Sequence, residues 1–476
     1  MVFSSTLFVF FFLPITLLGY YLIKESYRNY WLLFVSLVFF GWSQPNYLWI
    51  IVLNIVINYV CAMFISQIPQ IRKYIVVTAV LVNIAILFYF KYFNFTIETI
   101  NNLANCNISI KDIVLPIGIS FFTFQGMSYV IDVYRGDVPV QKNIFKVGLY
   151  IVLFPQLIAG PIVRYRDIAY EIDHRKNTLE DFCSGIERFI IGLGKKAIIA
   201  NTMAATADAI WNADITKNTW LIAWLGSIAY TLQIYFDFSG YSDMAIGLGR
   251  MFGFHFNENF NLPYISKNIT EFWRRWHISL SSWFRDYVYI PLGGNRKHVY
   301  LNLAIVFLLT GIWHGASWHY ILWGIWNGFF ILIERAIKMR KMKNNKELQQ
   351  HTKQSVGKSI ISSIYTLFVI NMGWVLFRAD TLGDALKYAA IMLGRITPEH
   401  VGFSVFWYLD RWTMTIMGIA FLFSSSIPTK IATAFRNAVA EKVYVVCKYV
   451  LLIGLLYLCM LRIVSGTYNP FIYFQF

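Results

Sequence analysis

The stretch VYLNLAIVFLLTGIWHGASWHYILWGIWNGFFILI, residues 299–333, contains no Lys, Arg, Asp or Glu. His314 and His319 are its only residues that titrate near neutral pH. Basic residues flank it: Arg296, Lys297 and His298 before, and Arg335, Lys338, Arg340 and Lys341 after. One membrane crossing takes about 20 apolar residues, so a run of 35 is too long for one helix and slightly short for two. A hairpin with short arms fits, with both ends on the basic face and the turn at Trp313-His314-Gly315-Ala316-Ser317. An arm of about 15 residues rises only about 22 Å, against a hydrocarbon core of about 30 Å. The turn then stops short of the far surface and leaves His314 recessed. Non-helical backbone at that depth lines a cavity or is buried in protein. An ionisable residue there marks a functional site by default.

Working outward, the composition fits the same class. The chain of 476 residues is 57% hydrophobic, 18% aromatic and only 14% charged, with a mean hydropathy of +0.53. These values describe an all-α, polytopic membrane protein of about 11 or 12 transmembrane helices with additional re-entrant or interfacial helices. The net charge of +16 does not argue for nucleic acid, because the positive residues lie in short loops between apolar runs, as the positive-inside rule expects. Cys61, Cys106, Cys183, Cys447 and Cys459 form no pair with metal-ligand spacing, so neither a disulfide framework nor a metal site is expected.

Towards the N-terminus, Val2 to Ile23 is uncharged, without a basic leader or a small-residue cleavage site. It reads as a first transmembrane helix with Lys24 and Arg28 at its cytoplasmic end. No charge follows Arg28 until Arg72, which is room for two helices turning near Gly41 to Pro45. Tyr74 to Phe90 crosses again, residues 92–112 suit a short polar outer loop, and Leu115 opens another, kinked span. The topology of residues 147–196 stays open between a re-entrant helix, a surface-lying helix and a full span. Asp237 and Asp243 stand six positions apart among aromatics and hydroxyls, costly at membrane depth unless paired. Glu271 to His298 interleaves Trp and Arg, as helices lying in the headgroup region do. Residues 335–358 hold eight Lys or Arg and one Glu, and read as a basic cytoplasmic loop. Further spans are expected near 360–376, 412–426 and 444–463, before an aromatic tail at 466–476. One integral-membrane domain over 1–476 accounts for the whole, with its motifs concentrated in 115–378. No internal repeat is visible, which argues against a transporter built from duplicated halves.

Four motifs in this order resemble the membrane-bound O-acyltransferases. They are Tyr235 to Asp243, Phe272-Trp-Arg-Arg-Trp-His277, Tyr289-Ile-Pro-Leu-Gly-Gly294 and Trp313-His-Gly-Ala-Ser-Trp318. The resemblance runs from about Leu115 to Arg378, with Phe-Ile-Tyr-Phe-Gln-Phe476 as a further match, and is strongest to the bacterial branch that O-acetylates alginate, peptidoglycan and other exported glycans. It implies a funnel from outside with His314 at its base, and a tunnel from the cytoplasm carrying His277. The hairpin argument sets His314 below the outer face independently.

Acyl transfer from a thioester to a hydroxyl needs a base near neutrality, a dry site and oxyanion stabilisation. Histidine suits the first role. His314 is therefore the expected base, or is itself transiently acylated, against the alternative of a hydrogen-bonded core histidine. His277 is assigned to the catalytic pair, either lining the donor path or orienting a partner. Arg274, Arg275, Ser281 and Trp313 are assigned to that path. The two arginines suit donor phosphates, with snorkelling to lipid headgroups as the alternative. His319, five positions from His314 and about 140° away on an ideal helix, reads as structural, as do Asp237 and Asp243. Tyr473 is either an acyl relay or an aromatic interface anchor. No bound cofactor or metal is expected.

The resemblance implies acetyl-CoA or another acyl thioester as donor, and a bacterial cytoplasmic membrane. It also implies a periplasmic SGNH-type acetyltransferase partner that hands acetyl to the glycan, because the outer loops here are too short to bind one. Two rivals stand beside this reading: a small-anion transporter with His314 as proton relay, and acylation of a lipid, teichoic acid or protein.

Overall fold

A computed structural model describes residues 1–344, 356–398, 400, 402–466, 468–470 and 472. Those residues build helices and connecting turns, with no strand among them. Among the described residues, six helices are long and apolar enough to cross a membrane, or seven if the pair Arg411–Phe423 and Ile427–Ala438, bent by 75°, counts as one span. Phe8–Leu22 and Val299–His314 are shorter apolar helices. The α-helical, polytopic class follows the sequence reading. Of the eleven or twelve expected spans, six or seven have full length, and much of the remaining apolar sequence lies in shorter helices.

The chain divides into two compact units. The first comprises Met1–Leu193, Gly240–Glu258 and Ile463–Ser465, and the second Gly194–Ser239, Asn259–Arg462 and the residues from Gly466 on. In the first, the uncharged run after Arg28 splits where Pro45 stops a helix. Arg28–Ser43 and Leu48–Gln67 flank the short turn Pro45–Tyr47. Asn54, Asn58 and Asn83, all fully buried, tie Leu48–Gln67 to Arg72–Leu87 through side-chain hydrogen bonds of 2.7 and 3.0 Å. The expected polar loop at 92–112 is a helix as far as Ala104, ended by left-handed Asn105. Phe93, Ile97, Ile100 and Leu103 recur at helical spacing through the Asn-rich sequence and give it an apolar face. The segment left open resolves into short pieces, Phe154–Leu157 and Tyr165–His174, before the helix Leu179–Gly194.

That last helix packs on the C-terminal part of Trp220–Met251 by direct backbone approach. A Cβ on Gly185 would lie 2.6 Å from the Gly247 carbonyl oxygen, and one on Gly192 2.6 Å from that of Gly240. Seven residues, about two turns, separate the glycines on each helix, so both contacts fall on one seam.

In the second unit the uncharged run forms the expected hairpin, Val299–His314 and Trp318–Asn344. The break covers Gly315 to Ser317, so Trp313 and His314 end the first arm instead of lying in the turn. The arms are unequal, with 16 and 27 residues. The second continues through Arg335 into the sequence read as a loop, and helix resumes at Val356; residues 345–355 lie outside the described ones. Lys and Arg are good helix formers, and Lys341 and Lys343 sit in the last turn, where positive charge meets the negative end of the helix dipole.

Candidate active site

His314 is the last residue of the first arm and is buried. Trp313, Trp323 and Phe377 surround its ring edge-on, at centroid distances of 5.0, 4.9 and 5.2 Å. Trp323 comes from the second arm and Phe377 from Val356–Arg378, so three helices enclose one imidazole. Gly324 permits this, because a Cβ there would lie 2.4 Å from the Phe307 carbonyl oxygen and 3.1 Å from Gly311 Cα. The arms cross where neither carries a side chain.

His277 joins Ile269–Arg275 to Ile278–Phe284 in the left-handed conformation, φ 44°. For a residue with a Cβ this costs on the order of 1–2 kcal/mol, so the surroundings must hold it there. Asn259 does much of this. Its backbone carbonyl accepts from Ile278 N–H at 2.9 Å, and its Oδ1 accepts from Ser279 N–H at 3.2 Å and from the Ser279 hydroxyl at 2.9 Å. His277 Nδ1 is 3.1 Å from the same Oδ1. Since that oxygen already receives a backbone N–H, Nδ1 is the protonated nitrogen and donates to it. The lone pair then sits on Nε2, a buried atom with no hydrogen-bond partner among the described residues. Burial pushes the imidazole down to about 3, so it is neutral near pH 7. Phe238 meets the ring edge-on at 4.6 Å, and Trp313 approaches at 6.1 Å. Trp313 thus touches both histidines.

The short helix before His277 is fixed from the hairpin. Glu334 accepts from Ile269 N–H at 2.7 Å, Thr270 N–H at 3.0 Å and the Thr270 hydroxyl at 2.8 Å. A carboxylate at a helix start satisfies amides that have no intrahelical partner.

Other sequence-selected residues fall around this centre. Arg275 pairs with Glu271 at 2.9 Å and donates to the Asn261 carbonyl, whereas Arg274 is exposed. The Ser281 hydroxyl donates to the Trp273 carbonyl at 3.2 Å. His319 opens the second arm beside Ser317, 2.9 Å from its hydroxyl. The break separates it from His314, so the angle between them on one ideal helix does not apply. Asp237 pairs with Lys196 at 2.6 Å. Asp243 belongs to the first unit, where Arg188 meets it at 2.6 Å. Tyr473 lies outside the described residues; its neighbour Ile472 is buried in a cluster that includes Trp323, Trp374 and Phe377. Among the described residues no three His, Cys, Asp or Glu are grouped to hold a metal ion.

Sequence reading missed Asn259, Glu334 and Lys196. Their signals were present but faint: an Asn at every second position from 257 to 261, one acid opening a basic flank, and one of two lysines entering an apolar run.

The fold is that of a helical, multi-pass membrane protein, and similarity to known proteins supplies its family. Residues 86–377 match the membrane-bound O-acyltransferase (MBOAT) family. The chain is 40% identical to the "Probable alginate O-acetylase AlgI" of Pseudomonas putida over 504 aligned positions, covering 100% of both. Its counterpart from Pseudomonas aeruginosa is 41% identical over 92% of this chain and 85% of its own. The peptidoglycan O-acetyltransferase of Helicobacter pylori is 35% identical over 83% of this chain and 80% of its own. The chain belongs to the membrane-bound O-acyltransferase family. It is an acyltransferase and a multi-pass membrane protein, and the anion-transporter alternative falls away.

Proposed function

We propose that the chain takes an acetyl group from acetyl-CoA on the cytoplasmic side of a bacterial cytoplasmic membrane and passes it outward for O-acetylation of an exported polysaccharide. The observation that carries this reading is His314, an imidazole walled by Trp313, Trp323 and Phe377, in a chain that aligns end to end with an alginate O-acetylase. An imidazole of ordinary pKa about 6.5 is a suitable base near pH 7, and the rings keep water from the thioester.

In the transfer step His314 takes the proton of an acceptor hydroxyl as its oxygen bonds to the acyl carbon. The carbon–sulfur bond breaks, and the leaving thiolate takes the proton from His314. His277, neutral and held by Asn259, lines the donor path with Ser281 and Trp313. Arg275 is engaged with Glu271, which leaves exposed Arg274 to meet donor phosphates. Tyr473 is the first acceptor. Its ester is handed to a separate periplasmic acetyltransferase of the SGNH type, which acetylates the glycan.

Purified protein in nanodiscs with radiolabelled acetyl-CoA tests the scheme, comparing wild type, His314→Ala and Tyr473→Phe. Label on the wild-type chain that is absent from both variants is the expected result. Thioester cleavage by a folded His314→Ala protein at the wild-type rate would remove His314 as base. Label retained by Tyr473→Phe would remove the relay.

A further inference from the structure

Tyr468, Pro470 and Ile472 are held in the second unit by two ion pairs, each of which divides its carboxylate in the same way. Asp208 turns Oδ1 to Arg378 at 2.7 Å and receives the Tyr468 hydroxyl on Oδ2. Asp237 turns Oδ1 to Lys196 at 2.6 Å and receives Ile472 N–H on Oδ2 at 3.0 Å. Lys196 also donates to the Pro470 carbonyl, and Asn201 donates to the Asn469 side chain at 3.2 Å. One oxygen of each acid thus binds the helical body and the other binds the tail.

The local chemistry accounts for this division. Lys196 is 2% and Asp237 1% exposed, and a buried pair does little for stability unless its remaining bonding capacity is used. A non-helical segment in apolar surroundings must in turn find partners for its backbone groups. Proline offers a carbonyl and no N–H, so at position 470 it suits a cation. At 472 an N–H suits a carboxylate. Lys196 lies in the π-helical turn Lys195–Ala200, a distortion that often accompanies functional sites.

We propose that these two ion pairs form a dock that seats Tyr468, Asn469, Pro470 and Ile472 in the second unit, and that acyl transfer depends on the seated tail. Lys196, Asp237, Asp208 and Arg378 are positioning residues in this scheme, which rests on the tail being the acyl acceptor. Ile472, the last described residue, shares its buried cluster with Trp323 and Phe377, two of the rings against His314.

The test combines hydrogen–deuterium exchange with kinetics on the full chain in nanodiscs, for Asp208→Asn, Tyr473→Phe and the double variant Lys196→Met/Asp237→Asn. The double variant leaves no unpaired buried charge, so it retains the fold while losing the bond to Pro470. The dock predicts faster exchange in the peptide 466–476 of Asp208→Asn and of the double variant, with exchange in the hairpin peptides unchanged. It also predicts kcat reduced on the order of 100-fold, the scale of a misplaced reacting group, at an unchanged KM for the thioester. Tail exchange as slow as wild type in both variants would overturn the dock. Faster tail exchange with wild-type kcat would overturn its positioning role. Full transfer by Tyr473→Phe would instead remove the acceptor reading and leave the ion pairs as structural fasteners.

Discussion

Asn259 is the residue on which the conformation of His277 most visibly depends. Asn259→Ala would leave the Ser279 N–H and the His277 Nδ1–H buried without their acceptor, at about 1–3 kcal/mol. Transfer is expected to fall at least tenfold, with a lower thermal midpoint in detergent. Asn259→Asp keeps an acceptor oxygen and should retain more activity than Ala; equal activity in Ala and wild type would show that His277 does not need this anchor. A different histidine sets a pH dependence. Protonated His255 donates from Nδ1 to Glu171 at 2.8 Å and from Nε2 to Asp181 at 3.1 Å, from a half-exposed position. Burial alone would lower it, but hydrogen bonds to the two carboxylates outweigh that and raise it above its ordinary value. Its contribution to stability is therefore complete below about pH 6.5 and is lost as pH rises through the higher folded value. Solvent screening keeps it to about 1 kcal/mol or less. Thermal midpoints measured from pH 5.5 to 8.5 should decline less in His255→Gln than in wild type, and parallel curves would refute the linkage.

At the scale of the helix, the hairpin depends on close approach at Gly311 and Gly324. A Cβ on Gly311 would lie 2.5 Å from the Tyr320 carbonyl oxygen, and one on Gly324 2.4 Å from that of Phe307. Both obstacles are backbone, so a methyl group forces the arms apart instead of rotating a side chain. Gly324→Ala is expected to cost about 1–3 kcal/mol, as overpacking does, and to reduce transfer by disturbing Trp323 against His314. Gly418→Ala is the control, because no atom lies within 4 Å of its Cβ position; there Ala should be neutral or stabilising by roughly 0.5–1 kcal/mol. Similar midpoints for the two variants would remove the close-approach argument. The hairpin was legible because charge is excluded from its apolar arms and the small residues of its turn interrupt the helical pattern. The length of its second arm was not, since helix propensity carries Lys and Arg past the boundary that hydropathy marks.

Across the whole molecule, the legible parts are those encoded by neighbouring residues. The uncharged run between Arg28 and Arg72 contains its own stop at Pro45, and the burial cost of Asp237 and Asp243 announced that each needs a partner. Which cation answers each acid was not legible. Arg188 lies 55 residues from Asp243, and Lys196 is separated from Asp237 by most of two helices, and only tertiary packing makes those pairs. The same limit hid Glu334, which acts on a helix start 65 residues earlier. It also hid Asn259, one member of a run of similar asparagines. The unequal hairpin bears on how the protein is made. Its first arm, 16 residues rising about 24 Å, is too short to partition into the bilayer alone during synthesis. The insertion machinery must therefore hold it until the longer arm emerges, so the recess around His314 forms as the two arms enter the lipid together.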